Sequence, residues 1–439
     1  MLEFIPNLVH IHTLPAAIAL AIAVAHPPSA RGASIDVDAS VLQQEIDRAP
    51  SHSVLMADPS QRVEVNETIR IDKPLTLVGL NMHLEPGLAK TPILEVLAEG
   101  VRIRDFVLEG NGDSVEQTDR APLIVVRRGR FRIENGQTNN SAKDGIMITP
   151  VPEYGDIEHG VVRDLTARDT IRDVVSIGGQ GHEGLYVRHL VVENIRSYGS
   201  RLRGPVEVSD GSEHITVRDV YAESSVYGVD VQDHSRPGMV NRHILIDGVQ
   251  VRNCVTAIRT ANRDFGHEGL TIRNVTGAEF RAAGEWSPVH IRNTRNVLIE
   301  NVNLSGGPQD RAWIYVQNSD NVTVRNVTLV EAGNDGAALV LEDADNALVD
   351  NIVFSGERQP KRGVEYRVNA GETFGGLRIR NVVVPGAEEV GIVVERVSQS
   401  GQLDSYVITD NIATVKADVP SRRGTVERNL SQRPAQPKP

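Results

Sequence analysis

The chain has 439 residues and a formal net charge of −12, with 38 Gly but only 7 Phe, 8 Tyr and 2 Trp. This acidic balance argues against a nucleic-acid partner, because such proteins usually carry a basic patch or a high pI. It does not exclude an acidic substrate, since a local group of Arg and His side chains binds an anion whatever the total charge.

The first segment of the chain predicts export. An apolar run over 14–24 is too short to span a bilayer, but it has the length of a signal-peptide core and ends at Ala23-Val24-Ala25. We therefore expect a signal peptide over 1–25, a spacer over 26–34 and a secreted or periplasmic protein without a stable membrane span. Residues 35–430 are expected to form a single domain, followed by a disordered tail over 431–439.

A short helix is predicted directly after the spacer. Ser40-Val41-Leu42-Gln43 has the pattern of a capping box, in which Ser40 would begin the helix. Strands are expected to follow near 62–71 and 75–80.

A recurring phrase then sets the fold: a β-branched residue, any residue, and Asn or Asp. Clear copies end at Asp105, Asp164, Asp219, Asn274, Asn301, Asn326, Asn351 and Asn381, and weaker ones lie at Asn135, His189, Gly248 and Asn411. The copies are 25–30 residues apart, and each unit holds a second short strand with alternating apolar residues. Short strands at this period, with no helical pattern between them, predict an all-β, right-handed parallel β-helix (a solenoid) of about 12 coils with an N-terminal capping helix.

With these features, residues 35–414 resemble the pectate-lyase-like β-helix superfamily. The resemblance implies that the predicted helix closes the first coil, and some cap is required because an open end exposes unpaired strand edges. Polygalacturonases of this superfamily carry Asn-Thr-Asp-Gly, Asp-Asp, Gly-His-Gly and Arg-Ile-Lys on successive coils. Asp144 and Asp173 stand where that family places carboxylates, but Leu202-Arg203-Gly204-Pro205 replaces Gly-His-Gly. We therefore treat Asp144 and Asp173 as second-rank candidates and do not carry the polygalacturonase mechanism over.

The residue between the two inward apolar residues of each short strand defines an outer column, which we expect to face solvent. The column reads Met147, Ser176, Glu207, Asp230, Arg259, His290, Tyr315, Val340, Glu365 and Val393. Its middle part predicts a carbohydrate-binding groove. The candidate catalytic residues are Glu207, Asp230, Asp233, Arg259 and His290. The candidate substrate-binding residues are Arg203, Gln232, His234, Arg292, Tyr315, Tyr198 and Trp286.

Three functions fit this groove, and we favour a glycoside hydrolase that cleaves a polysaccharide. Such an enzyme needs one carboxylic acid and one carboxylate, which Glu207 and Asp230 would supply on adjacent coils without any cofactor or metal. The substrate would be a polysaccharide or oligosaccharide, neutral or anionic. A non-catalytic carbohydrate-binding surface protein is another alternative, in which the column is only a ladder of opposite charges.

The remaining alternative is a polysaccharide lyase that acts on a uronate-containing chain by β-elimination. Arg259 or Arg292 would neutralise the uronate carboxylate, and Ca²⁺ is an alternative way to do so. The acidic ligands of such an ion would be Glu207, Asp230 and Asp233. The base would be His290, His234 or Tyr315. Lyases of the fold that the chain resembles often use Lys or Arg as base, and the outer column contains no Lys.

Overall fold

The computed structural model describes residues 37–88, 90–112, 120–178, 184–234, 238–261, 266–282, 284–307, 310–369, 373–397 and 401–430. Nearly all of them form a β-solenoid of about 13 turns, with one short helix at its N-terminus. This confirms the predicted fold class. The predicted signal peptide, spacer and C-terminal tail lie outside the described residues. In the described part of the chain, no helix is long and apolar enough to cross a membrane.

The chain divides into two compact units, Met1–Thr216 and Val217–Pro439, and each is described by itself. The prediction of a single domain stays a prediction. The helix α1 spans Ala39–Arg48. The strands that begin in the first unit are β1 Val37–Asp38, β2 Val54–Met56, β3 Val63–Val65, β4 Ile69–Ile71, β5 Thr76–Val78, β6 Asn81–Leu84, β7 Leu94–Val96, β8 Arg102–Glu109, β9 Ile124–Val126, β10 Arg132–Asn139, β11 Ile146–Ile148, β12 Ile157–Arg168, β13 Val175–Ile177, β14 Val187–Tyr198, β15 Val206–Ser209 and β16 Ser212–Glu223.

The second unit continues with strands of the same two kinds, short and long. They are β17 Val229–Gln232, β18 Asn241–Arg252, β19 Ile258–Ala261, β20 His267–Ala278, β21 Val289–Arg292, β22 Thr294–Ser305, β23 Ile314–Val330, β24 Ala337–Asp345, β25 Ala347–Ser355, β26 Arg362–Val368, β27 Thr373–Phe374, β28 Leu377–Val383, β29 Val390–Arg396, β30 Gln402–Thr409, β31 Val415–Asp418 and β32 Ser421–Glu427.

The helix lies where it was predicted, but its start differs. It begins at Ala39, one residue before Ser40. The side chain of Gln43 binds the edge of strand β4. Its Oε1 accepts a hydrogen bond from the backbone N–H of Arg70 at 2.7 Å, and its Nε2 donates to the Arg70 carbonyl at 3.1 Å. An amide side chain thus pairs with strand backbone that the first coils would otherwise leave open.

Parallel pairing of equivalent strands builds each unit. In the first unit β9, β11, β13 and β15 pair in succession, as do β8, β10, β12 and β14. Inward apolar side chains therefore stack in rows, as the alternating pattern predicts. The residues on which this prediction was made are all fully buried, namely Val206, Val208, Val229, Val231, Val289 and Ile291. Cys254, the only cysteine, is also buried and forms no disulfide.

The repeated Asn residues form a hydrogen-bonded ladder at one turn. In the second unit, Nδ2 of Asn301 donates to Oδ1 of Asn274 at 3.1 Å, and Asn326 and Asn351 extend the series at 3.1 and 2.9 Å. These residues have positive φ, which is 57° at Asn301. Asn tolerates this left-handed conformation better than other side chains with a Cβ, so the turn geometry explains why the phrase ends in Asn or Asp.

Two of the weaker copies of the phrase were placed wrongly. Strand register aligns Asn194, not His189, with Asp164, and Asn194 donates to Oδ1 of Asp164 at 2.8 Å. His189 belongs to a different turn, where its ring stacks on those of His159 and His214 at 5.1 and 5.0 Å. Both turns require positive φ, so short polar side chains mark both and the sequence alone does not separate them.

The second misplaced copy is Asn411. Register pairs Arg380 with Thr409, so Asp410 follows Asn381 in the ladder, whereas Asn411 is buried. Its Oδ1 accepts a hydrogen bond from the backbone of Val382 at 2.9 Å.

We predict that Asn301→Ala lowers the free energy of unfolding by about 1–2 kcal/mol, because alanine loses the ladder hydrogen bonds and is strained at positive φ. Asn301→Gly should lose less, since glycine removes the strain but not the hydrogen bonds. Denaturant unfolding measures both. Asn303→Ala, at an exposed position of the same strand β22, is the matched control. An alanine variant at 301 as stable as the control would contradict a structural role for the ladder.

Candidate functional site

The outer column does not face solvent where its functional residues lie. In the first unit Ser176 and Glu207 are 1% and 0% exposed, and in the second unit Asp230 and His290 are 0% and 2% exposed. The expectation of a solvent-facing column was therefore wrong for these four residues. Long side chains from the turns next to the short strands cover them, as the contacts below show.

Strand register brings three carboxyl groups of the first unit together. Pairing of β11, β13 and β15 places Met147, Ser176 and Glu207 in one row. Asp144 and Asp173 each lie two residues before the first residue of β11 and β13, so they are also equivalent in successive coils. The backbone N–H of Asp173 donates to Oδ1 of Asp144 at 3.2 Å. The two second-rank candidates and Glu207 thus form one cluster, and all three are fully buried.

Two arginine side chains hold this cluster. The Arg172 guanidinium lies 3.5 Å from Oδ1 of Asp144 through Nε, and 3.5 Å from Oε2 of Glu207 through Nη2. Arg203 donates from Nη1 to Oε1 of Glu207 and lies 4.0 Å from Oδ2 of Asp173. Ser176 Oγ donates to Oε2 of Glu207 at 3.0 Å. The charge of Glu207 is therefore matched by two cations, each with a side chain only 22% exposed.

The pKa of the buried Asp144 carboxyl group is raised. Burial raises its pKa, the negative charge of Glu207 adds to this, and the charges of Arg172 and Lys143 offset only part of the shift. One oxygen, Oδ2, has no hydrogen-bond partner among the described residues. A buried carboxyl group with a raised pKa and an unused oxygen favours the protonated acid.

Glu134 of strand β10 shows the opposite behaviour in the same unit. Burial alone would raise its pKa, but the hydrogen bond from Arg132 and the charges of Arg102, Arg132 and Arg163 outweigh burial and lower it. The three guanidinium groups lie within 2.7–2.9 Å of its oxygens. Close ion pairs therefore keep a buried carboxylate charged here, whereas the looser contacts of Arg172 do not do so for Asp144.

Sequence reasoning missed two residues at this site. Arg172 directly precedes Asp173 and was not considered. Lys143 precedes Asp144, and its Nζ lies 3.8 Å from Sδ of Met147, a residue of the outer column. No position of the outer column is a lysine, but the side chain of Lys143 reaches the column in space. Tyr198, in contrast, is in strand β14, where its ring lies under the guanidinium of Arg168 at 4.8 Å.

In the second unit, Asp230 and Arg259 form a buried ion pair. Nη2 of Arg259 lies 2.9 Å from Oδ2 of Asp230, and its guanidinium lies between the rings of Tyr227 and Trp286, at 4.6 and 4.7 Å. These contacts fix Arg259 in place. Such an arrangement suits a positioning group better than a mobile acid or base.

His290 is held as a neutral ring. The backbone N–H of Ser287 donates to its Nδ1 at 3.2 Å, so the hydrogen of the neutral ring is on Nε2. Burial, with the positive charges of Arg292 and Arg259, lowers its pKa to about 3. The ring contacts Trp286 and Tyr315, each with 5.0 Å between ring centroids. A ring that is a very weak base and already carries hydrogen on its unbonded nitrogen is a donor and not a general base.

Tyr315 is also unsuited to act as a base. Burial raises its pKa above the ordinary value of tyrosine, and the negative charge of Glu342 and a hydrogen bond to it act in the same direction. Both His290 and Tyr315 border a cavity of about 290 Å³ in this unit. Arg292 borders the same cavity, and its guanidinium lies over the Trp286 ring at 5.3 Å.

The other predicted residues of the second unit take part in local networks. Asp233 Oδ2 accepts a hydrogen bond from the backbone of Gly266 at 3.3 Å. Gln232 Nε2 lies 3.0 Å from Nε2 of His234. These contacts do not place the three residues at the cavity. In the described part of the chain, no group of three or more His, Cys, Asp or Glu side chains is arranged to hold a metal ion.

Comparison with known proteins agrees with this architecture. The sequence matches the family described as the right-handed β-helix region over residues 206–399 and 287–429, which together make up just over half of the chain. The chain belongs to this family. No curated protein sequence matches it.

Solved structures of low sequence identity also match this chain. Gene product 12 of bacteriophage phi29, in its pre-mature form, is 13% identical with a TM-score of 0.53, and the match covers 86% of this chain and 52% of that one. The A-module of the mannuronan C-5 epimerase AlgE6 from Azotobacter vinelandii is 16% identical with a TM-score of 0.45 over 90% of this chain and 95% of that one. Endopolygalacturonase I from Stereum purpureum, complexed with two galacturonate, is 12% identical with a TM-score of 0.41, over 91% and 100%. At 13% identity the likeness to gene product 12 concerns the fold alone.

The opposite pKa shifts of Asp144 and Glu134 predict opposite pH dependence of stability. Because the pKa of Asp144 is raised in the folded protein, protonated Asp144 stabilises the fold at pH values below its ordinary pKa. This stabilisation is lost as pH rises through the raised pKa. Asp144→Asn should therefore become more stable relative to the parent between about pH 4 and pH 8. Glu134→Gln should become less stable relative to the parent in a lower window, as pH rises through the lowered pKa of Glu134 to just above its ordinary value of about 4.5, because ionised Glu134 is stabilising. Thermal unfolding at several pH values tests both, and equal slopes for the two variants would contradict the assignment.

Proposed function

We propose that this chain is a carbohydrate-active enzyme that hydrolyses glycosidic bonds at the carboxyl cluster of Asp144, Asp173 and Glu207. One observation carries the proposal: a buried carboxyl group with a raised pKa lies beside a carboxylate whose charge is matched by two arginines. Carboxyl groups in such different environments are the pair that glycoside hydrolysis needs, because one must donate a proton while the other stays charged.

Within this proposal each group has a defined role. Asp144 protonates the oxygen of the leaving sugar, and Glu207 acts as the nucleophile or as the base that activates water. Arg172 contacts both groups and so fixes their relative orientation. Arg172 and Arg203 cover the carboxyl groups, so a bound sugar meets these two guanidinium groups first. The catalytic pair is thus Glu207 and Asp144, in place of the pair Glu207 and Asp230 that the sequence suggests. The enzyme acts outside the cytoplasm, as the first segment predicts.

Elimination is the second candidate reaction, and Lys143 is the observation that favours it. Its amine reaches Met147 next to Asp144, and arginines lie nearby to neutralise a uronate carboxylate. The bases first suggested for a lyase are less suitable, because His290 is a donor with a pKa of about 3 and the pKa of Tyr315 is raised. Hydrolysis remains the better-supported reaction, since Asp144 supplies an acid and Glu207 a matched carboxylate.

The test is to incubate the purified chain with neutral and acidic polysaccharides while reducing ends and the ultraviolet absorbance of unsaturated sugars are both recorded. We expect new reducing ends without unsaturated products. Asp144→Asn and Glu207→Gln should each lower turnover by about two or more powers of ten, the usual scale for losing an acid, base or nucleophile. Unsaturated products that disappear in Lys143→Met would instead show elimination.

Glu134→Gln is the matched control, because Glu134 is also a buried carboxylate bound by arginines in the same unit. It should retain the activity of the parent at temperatures where it is folded. Full activity in both Asp144→Asn and Glu207→Gln would remove the reaction from this cluster.

A further inference from the structure

The cavity bordered by His290, Arg292 and Tyr315 takes no part in the proposed hydrolysis. It has a volume of about 290 Å³. This is close to the lower end of the ~300–1,000 Å³ range of small-molecule sites, so it suits one compact group such as a single sugar unit. Two carboxylates, Glu285 and Asp310, and three cations, Arg292, Arg311 and Arg367, border it. The polar residues at its wall are Ser287, His290 and Tyr315.

His290 borders this cavity, and one of its ring nitrogens is a hydrogen-bond donor that no described residue uses. The residue is only 2% exposed, and its Nδ1 already accepts a hydrogen bond from the backbone N–H of Ser287. Nε2, which carries the hydrogen, has no hydrogen-bond partner among the described residues. Buried polar groups are almost always paired, so an unpaired donor at the wall of a cavity calls for an acceptor that comes from outside the protein.

Arg292 supplies a cation, and one of its partners, Glu285, is easily exchanged. Its Nη1 lies 3.1 Å from Oε1 of Glu285, whose side chain is 63% exposed while that of Arg292 is 23% exposed. An ion pair to a solvated carboxylate at the rim is weak, because water and salt screen it. The guanidinium also lies over the Trp286 ring, which helps to keep it in place. A ligand carboxylate can therefore replace Glu285 without moving Arg292.

The other two arginines at the cavity already serve the protein itself. Arg311 bonds to the carboxylate of Asp310 and to the carbonyl oxygens of Gly284 and Trp286, so it fixes the turn that carries Trp286. Arg367 bonds to Glu365 at 2.5 Å. The groups that select a ligand are thus Arg292 and His290.

We propose that this cavity binds one carboxylate-bearing sugar unit, a uronate. Its carboxylate takes the place of Glu285 on Arg292, and one of its oxygens accepts the hydrogen bond from Nε2 of His290. The carboxylate follows from the contacts of Arg292. The choice of a sugar rests on the proposed function.

The experiment is calorimetric titration of the full chain with trigalacturonate and trimannuronate, and with the methyl ester of each. The acid forms should bind at least about tenfold more tightly than the esters, the scale expected for a charge-assisted hydrogen bond. Arg292→Gln and His290→Phe should each weaken binding of the acid about tenfold, because they remove the cation or the donor while phenylalanine keeps the ring contacts. Equal affinity of acid and ester would overturn the proposal.

Glu285→Gln gives the sharpest outcome. If the Glu285 carboxylate competes with the ligand, the variant should bind trigalacturonate several-fold more tightly than the parent. If Glu285 only holds Arg292 in place, the variant should bind more weakly, and that result would also overturn the proposal. Because Glu285 is exposed, this variant should fold even where His290→Phe does not. Glu300→Gln and Arg325→Gln, which alter another Arg–Glu pair of the same unit, are matched controls and should bind as the parent does.

Binding and hydrolysis fail separately in these experiments. If Asp144→Asn and Glu207→Gln leave cleavage unchanged but acid-selective binding depends on Arg292, the cavity is a uronate site and the proposed catalytic cluster is wrong. If cleavage depends on the cluster while the cavity variants bind uronates unchanged, the cavity assignment is wrong and the cluster stands.

Discussion

Parallel pairing between equivalent strands is the constraint on which the rest of this structure depends. Each coil repeats the register of the one before it, so a side chain at a given position lies next to its equivalent about 4.8 Å away. Inward apolar residues such as Val175 and Val206 become rows of a core in this way. The same register places Asn301 against Asn274 at the turn and Ser176 against Glu207 in the outer column.

Stacking of equivalent positions also creates an electrostatic problem, because like charges in successive coils would repel each other. The first unit meets it with arginines from neighbouring positions. Around Glu134 three guanidinium groups approach closely and the pKa of the carboxyl group falls. Around Asp144 the cations are fewer and further away, burial dominates, and the pKa rises. The pKa values of two buried carboxyl groups in one unit are therefore shifted in opposite directions because their cations lie at different distances. This difference distinguishes a functional candidate from a structural ion pair.

The second unit combines aromatic rings and arginines for a related purpose. Trp286 lies between the guanidinium groups of Arg259 and Arg292 and also touches His290. One ring thus orients two cations, and their charges lower the pKa of the histidine further than burial alone. The result is a neutral donor beside a cation that is held in place, which suits recognition of an anion more than proton transfer.

The sequence by itself determined the class of fold. The period of 25–30 residues, the alternating apolar pairs and the Asn or Asp at the turns were sufficient, because each reflects local geometry that recurs in every coil. It also identified Glu207, Asp144, Asp173, His290 and Arg292 as residues of interest. It did not separate Asn194 from His189, because two turns of one coil demand the same positive φ.

Tertiary structure alone decided which of these residues meet and in what state. An outward side chain is shielded from water when long side chains from adjacent turns fold over it. Arg172 and Trp286 cover their neighbours in this way, and the periodicity of the sequence gives no signal of it. The raised pKa of Asp144 depends in the same way on distances across coils, to Arg172 and Glu207. Such distances are set by packing in three dimensions, and a one-dimensional pattern of residues does not contain them.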